Sequence, residues 1–241
     1  MAYFYSPVFP LKSLEPRLSF PVVTLLLIAI NVLVFFYQLS LPAHAAEAFV
    51  FAHAIVPSKL ALALAGAKHA SLSDAALTLV TSMFLHAGWL HILGNMWFLW
   101  IFGANVEDRM GPVSYLIFYF ICGIGSGIAQ TAFTWNSHIP MLGASGAISG
   151  ELAAFIVFFP QGRILSLITL FIIWFLARVP AWIFIGLWFI VQFLSGVVSL
   201  GAPHAGANTG GVAFWAHVGG FLLGLALARG FESRTRAPIR R

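Results

Sequence analysis

Apolar residues gather into long runs along this chain, separated by short polar or Gly/Pro-rich breaks. Six runs approach the roughly 20 residues that a membrane-crossing helix needs. They cover Phe20–Leu39, Thr81–Phe102, the stretch from Pro112 to Thr134, Ser145 to just before Pro160, Pro180–Leu200 and Val212–Ala228. Pro42, Gly111-Pro112, Pro140, Pro160, Pro203 and Gly210-Gly211 punctuate the gaps. The pattern predicts an all-α polytopic membrane protein built as a six-helix bundle. Residues 1–19 form an N-terminal segment, 20–229 the membrane domain and 230–241 a basic tail.

Two stretches fit less simply. Residues 41–80 are long for a loop and moderately apolar, and are read as an outside loop with short interfacial helices. Residues 163–178 are apolar but short, with Arg163 and Arg178 at the ends. They are either a seventh span or a segment lying at the membrane surface, and charge decides between these. Of the twelve Lys and Arg, six spans put Lys12, Arg17, Arg109, Arg163, Arg178, Arg229, Arg234, Arg236, Arg240 and Arg241 on one side. Only Lys59 and Lys68 fall on the other. The positive-inside rule then sets both termini in the cytoplasm, and a seventh span would send the arginine-rich tail outside.

Composition supports the membrane reading. The chain is 61% hydrophobic and 8% charged, against about 25% charged in soluble domains. The net charge of +5 forms no stripe or motif for nucleic acid. The lone Cys122 lies in an apolar run and reads as a small buried filler. No short apolar core with a small-residue cleavage site marks a signal peptide, so the first run is expected to stay in the mature protein.

Polar groups inside a membrane are costly, and function is the default reading for them. The second run begins MFLHAGWLHILGNMW, which sets His86, His91 and Asn95 near its outer end. His91 and Asn95 are four apart and share a helix face. The sixth reads FWAHVGGFLLG, with His217 a short way below the same level, and the fourth opens GASGAISG, with Ser145 at its mouth. Gly146 and Gly150 on the fourth helix, and Gly220 and Gly224 on the sixth, offer small surfaces that allow close backbone approach. That contact would bring Ser145 and His217 within hydrogen-bonding reach.

Serine needs a base to become a nucleophile, and neutral imidazole at His217 is the candidate. The only aspartates, Asp74 and Asp108, read as loop residues, so a Ser–His dyad without a carboxylate is predicted. The Ser145 N–H at the helix start, with the His91 and Asn95 side chains, would form an oxyanion hole. Gly143 and Gly146 would leave room for a substrate backbone. No metal, nucleotide or redox cofactor is implied. His44, His53, His69, His138 and His204 read as solvated loop residues.

These motifs resemble the rhomboid family of intramembrane serine proteases. GASG at 143–146 is similar to its GxSG nucleophile motif, HILGN at 91–95 to HxxxN, and AHVGGFLLG at 216–224 to AHxxGxxxG. GANVEDRMG at 103–111 resembles the GxxxExxxG turn, with Glu107 a structural residue. The resemblance implies Ser145 as nucleophile, His217 as general base, His91 and Asn95 in the oxyanion hole and His86 in a water-filled cavity. It also implies a mobile fifth helix and cap at 201–211, transmembrane protein substrates cut near the outer face, and a bacterial-type six-helix form in a bacterial inner (plasma) membrane. Its partners are those substrates and membrane lipids, while oligomeric state is unreadable.

The chain departs from the family in three places. Residues 41–80 hold no Arg, so docking of that loop is expected to rest on Phe49, Phe51 and the alanine-leucine run. Ser149 stands where some relatives carry an aromatic residue, leaving Trp215 as a substitute support for His217. Glu151, about 240° round from Ser145, is expected as a hydrogen-bonded carboxyl, with pH tuning the competing reading. Among other functions, a non-catalytic rhomboid-like helix-binding protein would lack the serine or the histidine. A transporter would bring an inverted repeat and midplane polar groups. A membrane acyl-transferring hydrolase would not cut a transmembrane peptide.

Overall fold

The computed structural model describes residues 8–67, 71–170, 172–201 and 213–233. Lys68, His69, His204, the expected cap at 201–211 beyond its first residue, and the arginines from Arg234 onward lie outside the described residues. Four helices are long and apolar enough to cross a membrane: α1 (Val22–Ser40), α7 (Pro112–Phe133), α9 (Ala181–Gly201) and α10 (Phe214–Phe231). Their limits lie within a few residues of four of the expected spans.

The second expected span is corrected. Its helix begins at Trp89 and not at Thr81. Helix α5 (Trp89–Phe98) runs through a π turn (Leu99–Gly103) into α6 (Ala104–Met110). The preceding α4 (Leu72–Thr81), with its 3-10 turn Ser82–Phe84, meets this segment at 83°. Gln38 on α1 holds the break open. The His86 N–H donates to Gln38 Oε1 at 3.1 Å, and Gln38 Nε2 donates to the His86 carbonyl at 3.4 Å. Backbone groups tied to a side chain are withdrawn from a helical ladder. The fourth expected span is α8 (Ser145–Phe158), of 14 residues. It is about 21 Å long, short of a roughly 30 Å hydrocarbon core. The described residues therefore hold four spanning-type helices, or five with the bent pair counted as one.

The all-α expectation is also corrected, because a small antiparallel sheet joins the helices. Strands β1 (Val8–Ser13), β2 (Arg163–Leu170) and β3 (Ile173–Pro180) pair in that order. Val8 faces Ile168 and Arg163 faces Pro180, with a bulge at Pro10/Lys12. Arg163–Leu170 and Ile173–Pro180 are thus paired antiparallel strands and not a seventh helix. The sheet is tied to the bundle where Trp97 Nε1 donates to the Pro10 carbonyl at 2.7 Å.

Residues 41–80 contain α2 (Ala43–His53), α3 (Pro57–Leu64) and α4. Phe49 packs edge-on to Tyr37 of α1, while Phe51 stays exposed beneath Lys59. Ile55 and Met141 exchange backbone hydrogen bonds at 3.0 and 2.7 Å, and Ser58 N–H donates to the Ser137 carbonyl at 3.0 Å. His53 and His138 are not merely solvated. His53 Nδ1 is bonded to the Phe49 carbonyl, and His138 to the Ser58 hydroxyl.

The aspartates are on helices and not in loops. Asp74 lies in the first turn of α4, and Asp108 is buried in α6. Asp108 accepts from the N–H groups of Leu18 and Ser19. Its neighbour Glu107 accepts from Val23 N–H (2.9 Å), Thr24 N–H (2.8 Å) and the Thr24 hydroxyl (2.7 Å). The first amides of a helix have no partner within it, and a carboxylate there also opposes the helix dipole favourably. Glu107 is therefore the cap of α1.

The centre of the molecule is the α7–α8–α10 contact. A Cβ on Gly150 would lie 2.5 Å from Cys122 Sγ and 3.2 Å from the Gly220 carbonyl oxygen. One on Gly220 would fall onto the Gly146 carbonyl, and one on Gly224 onto that of Gly150. The two GxxxG faces thus meet backbone to backbone, as close small-residue packing allows. By contrast α9 turns Leu187, Val191, Leu194 and Val198 outward.

Candidate active site

The loop before α8 is set by Gly143. Its φ of +121° suits glycine. Its N–H donates to the Ser82 carbonyl at 2.9 Å. The chain then enters α8 with Ser145 as its first helical residue. On the facing helix, His217 is the fourth residue of α10. Gln130 of α7 fixes this start by accepting from the Ala216 N–H at 3.0 Å.

With both helices locked by their glycines, Ser145 Oγ lies 2.8 Å from His217 Nε2. The opposite ring nitrogen, Nδ1, lies 2.7 Å from Gln192 Oε1. An amide oxygen only accepts, so Nδ1 carries the proton and donates to Gln192. Nε2 is then free to accept from the Ser145 hydroxyl. His217 is buried, and the Trp188 ring lies tilted against it with centroids 5.7 Å apart. The support expected from Trp215 is corrected: that ring stacks on Phe133 at 3.9 Å and faces Gly196. The Ser149 hydroxyl turns back to the Ser145 carbonyl at 2.6 Å.

His91 and Asn95 approach from α5. A Cβ on Gly143 would lie 2.7 Å from His91 Nε2 and 3.4 Å from Asn95 Nδ2, so both side chains pack against Gly143, two residues before Ser145. His91 Nδ1 accepts from the Ala87 N–H at 3.4 Å. Its proton therefore sits on Nε2, beside Gly143. Asn95 Nδ2 donates to His86 Nε2 at 2.9 Å, and the His86 and His91 rings stand 5.1 Å apart. His86 is thus buried behind Asn95. Gly146 faces the Ser126 side chain of α7, a packing position and not open space. Glu151 is buried away from the pair and accepts from the Tyr115 hydroxyl at 2.6 Å.

Sequence reading missed three amides, Gln38, Gln130 and Gln192, and the ring of Trp188. Gln192 was open to discovery, as the one amide in an otherwise apolar run. Gln38 and Gln130 sit near span ends, where polar side chains are ordinary.

These features define a polytopic helical membrane protein with a hydrogen-bonded serine–histidine pair at a glycine-packed helix contact. The Rhomboid domain family model matches residues 73–233, and the chain belongs to the rhomboid family. It is 38% identical over 76 residues to "RHOMBOID-like protein 6, mitochondrial" of Arabidopsis thaliana, covering 32% of this chain and 24% of that protein. It is 30% identical over 157 residues to "Rhomboid protein 1, mitochondrial" of Saccharomyces cerevisiae, covering 62% of this chain and 40% of that one. With "Rhomboid-like protein 11, chloroplastic" of Arabidopsis thaliana the figures are 35% over 74 residues, 31% and 26%. The matches thus span between about a quarter and two-fifths of these relatives' lengths. Named for organelles, these relatives lend no support to the bacterial inner membrane expected from the sequence.

Proposed function

We propose that this chain is an intramembrane serine endopeptidase that hydrolyses peptide bonds of transmembrane-helix substrates. The observation that carries the reading is the 2.8 Å contact between Ser145 Oγ and His217 Nε2. Family membership supports it.

In this mechanism His217 Nε2 takes the Ser145 proton as Oγ attacks the scissile carbonyl carbon. The carbonyl π electrons move to oxygen, and the oxyanion is met by the Ser145 N–H, the His91 Nε2–H and the Asn95 amide. One such donor is worth about 3 kcal/mol. The tetrahedral intermediate collapses, the C–N bond breaks, and His217 gives its proton to the leaving amine. Water, activated by the same histidine, then hydrolyses the acyl-enzyme and restores the serine. His86 would orient Asn95 from behind.

The short α8 supports a cut near one membrane face. Counted as a sixth, shortened crossing, its first residue lies several ångströms inside the hydrocarbon edge, because the helix is about 9 Å too short. Lys12 pairs through β1 with the strand that follows α8, and Arg109 pairs with Glu232 after α10. Basic residues thus collect at the end opposite Ser145, which supports cytoplasmic termini and a site near the outer face. The partners in this reading are transmembrane protein substrates and the surrounding lipids.

Cleavage of a model transmembrane substrate in liposomes tests the proposal. Wild type should cut, while Ser145→Ala and His217→Ala should not, and a fluorophosphonate should label wild type at Ser145. Absence of both cleavage and labelling in wild type would leave a non-catalytic helix-binding protein.

A further inference from the structure

We infer that Gln192 is a positioning residue that fixes the tautomer of His217; this rests on the serine-endopeptidase reading above. Gln192 is 2% exposed, although its neighbours Val191 and Phe193 are 53% and 43% exposed. Its side chain is the one point at which α9 turns an amide inward, and it meets His217 Nδ1 at 2.7 Å. Trp188, one turn earlier, covers the same ring. An imidazole held by nothing shares its proton between the two nitrogens. With the proton on Nε2 the ring cannot accept from Ser145. The Gln192 oxygen selects the Nδ1–H form and points the Nε2 lone pair at Oγ.

A carboxylate would do the same and would also offset the charge of the imidazolium. In lipid, however, a buried charge is expensive. A neutral amide gives orientation without that charge. Selecting the wrong tautomer is a known way to lose much of a serine–histidine site's rate. The loss expected here is smaller, because a freed ring still samples the right form.

The test uses the full chain, with 15N-labelled histidine, in detergent micelles. The His217 resonances are identified by their loss in His217→Ala. Wild type should show a protonated Nδ1 and an unprotonated Nε2. Gln192→Met, of similar shape, should show a mixture, and Gln192→Glu should keep the wild-type pattern. With a model transmembrane substrate, Gln192→Met should lower kcat on the order of tenfold to a hundredfold with KM unchanged. Gln192→Glu should recover most of that loss. The inference is overturned if wild type carries its proton on Nε2, if Gln192→Met leaves the resonances or kcat unchanged, or if only KM moves. A wild type with protonated Nδ1 that neither cleaves nor labels would refute the peptidase reading while the positioning by Gln192 stands.

Discussion

The contacts that α10 makes with α8 and with α9 hold two ends of one hydrogen-bonded chain, yet they are built differently. Between α8 and α10 the backbones touch, and a Cβ on Gly220 or Gly224 would meet a main-chain carbonyl. Between α9 and α10 the contact runs through side chains, chiefly Gln192 and Trp188 on His217, and Phe189 on Phe221. Ser145 and His217 therefore sit on helices whose backbones touch, whereas Gln192 rides on the more lipid-facing helix. Distance within the pair is set by backbone sterics, and ring orientation by a side chain.

Substitutions on the two sides should differ accordingly. Gly220→Ala is the most damaging, because backbone cannot yield to the added methyl. It should cost about 3 kcal/mol, read as a lowered thermal midpoint in detergent together with lost fluorophosphonate labelling. Gly143→Ala strains a φ of +121° and pushes on His91 Nε2. It should lower kcat on the order of a hundredfold, with a smaller shift in midpoint than Gly220→Ala. An equal fall in stability would instead make Gly143 a folding position. Trp188→Ala removes one side of the ring's support and should lower kcat several-fold while labelling persists. A Trp188→Ala variant as fast as wild type would show that Gln192 alone suffices. The smallest effect belongs to Leu194→Ala, on the outward stripe of α9, which should stay within about 0.5 kcal/mol and leave kcat untouched.

What was legible in the sequence follows from the same physics. Long apolar runs bounded by Gly and Pro marked α1, α7, α9 and α10 to within about three residues. The start of α5 was misplaced because Leu85 and its neighbours are as apolar as a helix requires, and only the bonds from Gln38 reveal the break. The sheet was hidden since a short apolar run such as 163–170 suits a strand or a helix alike. Asp108 was read as a loop residue because the apolar run ends at Phe102 and 103–111 read as a turn, whereas the helix continues to Met110. Ser145 and His217 stood out through the glycines around them. Gln192 carried no motif, and its partner was 25 residues away in sequence.

The cap on α1 has a consequence for how the chain is made. Glu107 reaches Val23 and Thr24 across 84 and 83 residues. During synthesis the first helix therefore exists for the whole time needed to make α2 through α5 without the acceptor its opening turn uses in the finished protein. Its leading amides must meanwhile be served by water or headgroups, so α1 is completed only when α6 has been made.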